Sequence, residues 1–133
     1  MRRLLLALVI LLGAQTLALA QSPLAPSLWK NQRGSTLEIQ WAHPSWDGVT
    51  HFGGTFVNHA NGFECKGIPY PAYGGELRGA HATFTVAFHK CATYATWKGH
   101  LGGRKMYMPW SLVYYVNGTP NYLKGVDVFW RIR

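Results

Sequence analysis

Acidic side chains are scarce in this chain. Its 133 residues hold five Asp and Glu against thirteen Lys and Arg, a formal net charge of +8. The five acids, Glu38, Asp47, Glu64, Glu76 and Asp127, are scattered, and no pair is evident for the two-carboxylate chemistry of glycoside hydrolysis. Cysteine is rarer still, with only Cys65 and Cys91. His43, His51, His59, His81, His89 and His100 show no ligand spacing such as His-x-His or His-x-x-x-His, and no acidic cluster accompanies them. A metal site is therefore not expected. After residue 20 no apolar run approaches the roughly twenty residues a membrane helix needs. Sustained helical periodicity and internal repeats are missing as well. Disorder is excluded by what fills the space: six Trp, seven Tyr and six Phe, all after residue 20.

The first twenty residues stand apart. Met1-Arg2-Arg3 is a basic start, Leu4 to Leu12 an apolar run too short to span a bilayer, and Ala18-Leu19-Ala20 a small-residue cleavage pattern. These read as a secretory signal peptide, residues 1–20, and predict a secreted or periplasmic product beginning at Gln21. Residues 21–27 carry two prolines and no periodicity, which predicts a flexible arm ahead of one domain over 28–133. In a secreted chain two cysteines suggest one disulfide, with two free buried thiols as the alternative. The basic excess raises nucleic-acid binding through surface aromatics. Lys and Arg are spread along the chain, however, and the best aromatics fall on inward faces, so neither nucleic acid nor membrane is an expected partner.

Short strand signals follow one another from Trp29 on. Thr36 to Gln40 alternates polar Thr36, Glu38 and Gln40 with Leu37 and Ile39, one face in a core and one in water. Further strands are expected at about 28–32, 50–58, 69–79, 80–90, 92–101, 105–116 and 122–132. Breaks fall at Gly34-Ser35, Trp46-Asp47-Gly48, Gly74-Gly75, Gly102-Gly103 and Asn117-Gly118. About eight short antiparallel strands can manage their edges as a sandwich or as a closed barrel. Short consecutive hairpins favour an all-β, eight-stranded antiparallel up-and-down β-barrel, whose interior has room for one small ligand.

Alternation assigns the inward faces. Trp29 and Asn31 share one; Ser35, Leu37, Ile39 and Trp41 another; then Gly54, Phe56 and Asn58. Phe84, Val86 and Phe88 follow, then Thr93, Ala95 and Trp97, then Met108, Trp110, Leu112 and Tyr114, and last Asp127 and Phe129. The result is an aromatic box with a few polar groups, suited to a small, flat, partly polar ligand. The alternative is a filled core with each polar group internally paired. A buried Asp127 must meet a donor from the protein or from a ligand, because desolvating a bare carboxylate is costly.

These residues carry a resemblance. Trp29-Lys30-Asn31-Gln32-Arg33-Gly34-Ser35 resembles the Trp-x-Asn-Gln-x-Gly-Ser opening of the avidins and streptavidins, and Gly54-Thr55-Phe56 their Gly-Thr-Tyr. Phe84 to Phe88, Thr93 to Trp97 and Trp110-Ser111-Leu112 resemble their fifth, sixth and seventh strands, and Gly125-Val126-Asp127-Val128-Phe129 their ending. Order and spacing hold over about residues 28–130. Phe56-Val57-Asn58, Cys65, Pro69-Tyr70-Pro71 and Cys91 look like the dimeric bacterial avidins related to rhizavidin, in which a disulfide joins the loop after strand three to the loop after strand five. The resemblance thus supports a Cys65–Cys91 bridge.

The resemblance implies biotin binding without catalysis, and biotin as ligand with no further cofactor; the alternative is a β-barrel that binds a different small ligand or a sugar. Asn31 and Ser35 would donate to the ureido oxygen, while Asn58 and Asp127 would accept from the ureido N–H groups. The bicyclic ring would sit among Trp97, Trp110, Phe88 and Leu112, and the valerate would reach Thr93 and the loop with Ala60 and Asn61. Phe56 stands where the family usually has Tyr, Phe88 where it has Trp, and Ala95 where it has Thr. The hydrogen bonds lost at Phe56 and Ala95, about 0.5–1.5 kcal/mol each, predict binding about 10–1000-fold weaker than in the best members. Pro109 is expected to force a bulge beside Trp110. No Trp lies within 111–129, where tetrameric avidins carry the one they lend a neighbour, so a dimer is favoured. Outward-facing Tyr107, Val113, Tyr115, Val126 and Val128 are the candidates for its interface.

Overall fold

A computed structural model describes residues 23–133. The expected signal peptide, residues 1–20, and residues 21–22 lie outside the described residues. Eight strands follow in chain order: β1 Ser27–Asn31, β2 Thr36–Pro44, β3 Val49–Val57, β4 Pro69–Arg78, β5 His81–Phe88, β6 Thr93–Gly102, β7 Lys105–Val116 and β8 Thr119–Arg131. A 3-10 turn, His89–Cys91, separates β5 from β6. Each strand pairs antiparallel with the next, and β8 returns to β1 through Trp29↔Arg131 and Asn31↔Phe129. The sheet is a closed barrel without an edge strand, the up-and-down arrangement expected from the run of short hairpins.

Side-chain alternation drives this closure. In β5, Ala82, Phe84, Val86 and Phe88 are buried, while Thr83, Thr85 and Ala87 between them keep partial contact with solvent. Phe56, Phe84, Phe88, Phe129, Met106 and Met108 are essentially fully buried and fill the middle of the barrel. Burying each such side chain contributes about 1.5–3 kcal/mol. Trp97 lies flat on Phe84, centroids 4.7 Å apart and planes 8° apart, which fixes the indole that faces the upper cavity.

The hairpins set the register. Asn117 and Gly118 both adopt positive φ (50° and 77°), the two-residue turn whose twist matches paired strands. Val116 therefore pairs with Thr119, and β8 begins at Thr119 rather than near 122. Gly74-Gly75 is not a break between strands. It forms a bulge inside β4, where the register with β5 shifts between Tyr73 and Glu76.

Four further expectations are corrected. Trp41 is 45% exposed, because a bulge between Ile39 and Trp41 reverses the alternation. Its indole lies over Gly53 on the outside, where a Cβ would come within 2.5 Å of the ring. Pro109 forces no bulge: β7 and β8 pair in unbroken register from Lys105↔Trp130 to Val116↔Thr119, with Pro109 opposite Val126. Val113 is buried, not outward-exposed. Finally, the expected arm is anchored where it is described. Ser27 belongs to β1, and Leu24 and Ala25 pack on the core cluster. Arg131 Nη1 donates to the Pro23 carbonyl at 2.8 Å.

Candidate ligand-binding site

The upper end of the barrel is organised by the β1–β2 turn. Asn31 Oδ1 accepts the N–H groups of Arg33 (3.0 Å) and Ser35 (2.9 Å), an Asx turn that Gly34 closes with φ +83°. With that oxygen occupied, the Asn31 side-chain amine is the part left to donate. Ser35 Oγ accepts the His59 N–H at 2.8 Å, so its hydroxyl proton is the part left to donate. Asn58, just after β3, accepts the Ala60 N–H at 2.8 Å. Its oxygen has a second lone pair. Gln32 extends β1 by side chain: Nε2 donates to the Val126 carbonyl and Oε1 accepts the Val128 N–H, both at 2.9 Å.

Asp127 lies at the floor, 2% exposed. Trp97 Nε1 donates to its Oδ2 at 2.9 Å, and Arg33 Nη2 pairs with its Oδ1 at 2.8 Å. The buried carboxylate thus meets the donors it requires from within the protein. Trp110 forms one wall, its indole so close to Gly125 that a Cβ there would come within 2.4 Å of the ring. Among the described residues Trp110 Nε1 is the buried side-chain polar atom without a hydrogen-bond partner.

Together these enclose a cavity of about 120 Å³, lined by Arg33, Ser35, Asn58, Ala60, Phe63, Ala95, Trp97, Trp110, Leu112, Leu123 and Asp127. Seven of the residues singled out from sequence line it directly: Ser35, Asn58, Ala60, Ala95, Trp97, Trp110 and Leu112; Asp127 makes an eighth. Phe56 and Phe88 sit behind the wall, where Phe56 touches Trp97 with centroids 4.9 Å apart. Asn31 is buried beside the cavity rather than among its lining. Thr93 is buried and donates its hydroxyl to the Val113 carbonyl, so that hydroxyl is already engaged. Asn61 is exposed and accepts from Lys66 Nζ at 3.0 Å, outside the cavity. Arg33, Phe63 and Leu123 line the cavity without having been singled out. Arg33 occupies the variable position of the turn motif, and no residue pattern announces how far its side chain reaches.

The loop from β3 to β4 is tied down by the Cys65–Cys91 disulfide, with Cα atoms 6.0 Å apart. Phe63 from that loop meets Phe88 edge-on at 5.0 Å, so the bridged segment closes one side of the cavity. A larger hollow of about 740 Å³ opens at the other end, between Leu24, Trp29, Leu77, Leu101 and Arg131. Its arginines already serve the backbone: Arg104 donates to the Arg131 carbonyl and Arg131 to that of Pro23. The upper cavity, where hydroxyl, amide and carboxylate groups converge between indoles, has the chemistry of a specific site.

A closed eight-stranded barrel with a small polar-floored aromatic cavity at one end defines a class of barrel-enclosed small-ligand binders. Within that class the chain belongs to the avidin family, whose family model it matches over residues 21–132. Hoefavidin from Hoeflea phototrophica is 29% identical over 113 residues, covering 77% of this chain and 69% of hoefavidin. Among solved structures, the bradavidin2–biotin complex is 43% identical, covering 84% of this chain and 100% of that one, with a TM-score of 0.72. The rhizavidin–biotin complex is 30% identical, covering 84% and 98%, with a TM-score of 0.69.

Proposed function

We propose that this protein captures biotin, without catalysis, in the upper cavity. The observation that carries the reading is the set of polar groups at this end of the barrel, near Trp97 and Trp110: two donors, Asn31 and Ser35, and two acceptors, Asn58 and Asp127. A ureido group needs that division, because its oxygen accepts and its two N–H groups donate. Asn31 and Ser35 would serve the oxygen, and Asn58 and Asp127 the N–H groups. The charge on Asp127 strengthens the whole set by polarising the ureido group. Trp97, Trp110 and Leu112 would hold the ring system, with Phe56, Phe88 and Ala95 supporting it. The valerate would leave past Ala60 and Asn61, with Thr93 packing at that end. The bridge from Cys65 to Cys91 favours affinity by holding the loop before ligand arrives.

The working form we propose is a secreted homodimer. The disulfide supports an oxidising compartment. Tyr107, Tyr115 and Tyr122 are each at least half exposed, and Val126 is also exposed, on the outer faces of β7 and β8. Such a run of apolar side chains supports burial against a second copy. The reading is tested by passing the oxidised mature protein over immobilised biotin. Retention with elution by free biotin is expected; flow-through of folded protein would refute it.

A further inference from the structure

Arg33 lies against two of the groups, Asp127 and Trp110, that the biotin reading gives to the ligand. Its guanidinium pairs with Asp127 Oδ1 at 2.8 Å and lies 5.2 Å from the centroid of the Trp110 indole. Nη2 also donates to the Val126 carbonyl at 3.4 Å. The root of the side chain is fixed, because the Arg33 N–H is held by Asn31 in the turn. Trp97 donates to the other Asp127 oxygen, so each carboxylate oxygen already holds a protein donor before a ligand arrives. The cavity that remains, about 120 Å³, is well below the roughly 300 Å³ at which pockets for small organic ligands begin.

Guanidinium and ureido groups are both planar, Y-shaped and edged with N–H donors. We infer that Arg33 is a tethered stand-in for the ligand's ureido group, a gate that keeps the buried Asp127 paired until a ligand replaces it. The inference rests on the biotin reading. It gives Arg33 a role against affinity rather than for it. Opening costs the ion pair and the cation–π contact with Trp110, and the Arg33 side chain, about one-third exposed, swings toward solvent. Salt should ease this step, because the Arg33 end of the pair reaches the surface and is partly screened.

The test is stopped-flow association of biotin, read by tryptophan fluorescence, with wild type, Arg33→Ala and Arg33→Gln. Arg33→Ala should associate about tenfold faster and bind tighter, and Arg33→Gln, which keeps a neutral planar N–H donor, should fall between. Raising salt from low to molar concentration should speed the wild type about two- to threefold and leave Arg33→Ala unchanged. Thermal unfolding supplies a control for damaged folding. Ligand-free Arg33→Ala should melt below wild type, and the biotin-saturated forms should differ less, because Arg33 has left Asp127 in both. Equal rates in wild type and Arg33→Ala would overturn the gate and leave biotin binding standing. Weaker binding by a well-folded Arg33→Ala would make Arg33 a ligand contact and also overturn it. No binding by any of the three would refute the biotin reading, and the gate with it.

Discussion

Asp127 is where the chemistry of this molecule concentrates. Two elements of sequence, the ending Gly125 to Phe129 and the opening turn at Asn31 to Ser35, are brought together by the β1–β8 pairing that closes the barrel. Replacing Asp127 with Asn removes the charge but keeps an oxygen. Hydrogen bonds to charged groups are worth about 1.5–3 kcal/mol, so Asp127→Asn should weaken biotin binding about 10–150-fold by calorimetry. Phe56 makes the opposite case. It is fully buried against Trp97 and Phe88 and offers no hydroxyl. Phe56→Tyr restores the donor of the family pattern and should tighten binding about 2–10-fold. The ligand-free variant should melt lower, since the new hydroxyl is buried without a partner. An unchanged affinity would mean that the residue does not reach the ureido oxygen. That Asn31, Ser35, Asn58 and Asp127 come together at one end of the barrel was legible in the sequence, because they stand at fixed positions of short motifs. Arg33 was not: it fills a variable position, and its effect depends on where a long flexible side chain comes to rest. The partner of Thr93 was not legible for a related reason, since alternation finds its face but not the Val113 carbonyl that engages its hydroxyl.

Strands were legible wherever alternation ran unbroken. Leu37 and Ile39, Phe84, Val86 and Phe88, Ala95 and Trp97, and Asp127 and Phe129 all fall on the inward face. Reading failed at bulges. Trp41 follows Ile39 at the same two-residue step, yet the register shift between them turns it outward. Pro109 failed in the other direction, because β7 carries it with no shift of pairing. The β7–β8 contact of Trp110 on Gly125 is a point where one methyl group decides the wall. A Cβ at 125 would stand 2.4 Å from the ring, so something must move. Gly125→Ala should displace Trp110 and weaken biotin binding at least about tenfold, with a changed Trp fluorescence spectrum. The disulfide acts at the same scale. It closes a loop with a sequence separation of 26. In the chain-entropy account that is worth roughly 3 kcal/mol, so the Cys65→Ser, Cys91→Ser double variant should melt on the order of 10 °C lower by scanning calorimetry. No change in melting would show that the β3–β4 loop is held by packing of Phe63 and Tyr70 alone.

At the level of the whole molecule, closure of the sheet removes one hazard and leaves apolar side chains exposed on its outside. Among the described residues no strand edge is left for pairing with another chain, but the outer wall of β7 and β8 carries Tyr107, Tyr115, Tyr122 and Val126 toward solvent. The barrel itself was legible from eight short strands joined by short turns. Which part of its wall is apolar was only partly so, since Val113 turned out buried while Tyr122 is exposed. A dimer through this face should scatter light as two chains, and a Tyr107→Lys, Val126→Lys double variant should scatter as one. Each chain carries its own cavity, so the monomer should still bind biotin. The measurement that bears most directly on the account is calorimetric titration of the oxidised mature protein with biotin. The arrangement of Asn31, Ser35, Asn58 and Asp127 between Trp97 and Trp110 predicts a saturable isotherm with one biotin per chain. A flat isotherm from protein shown to be folded would contradict it.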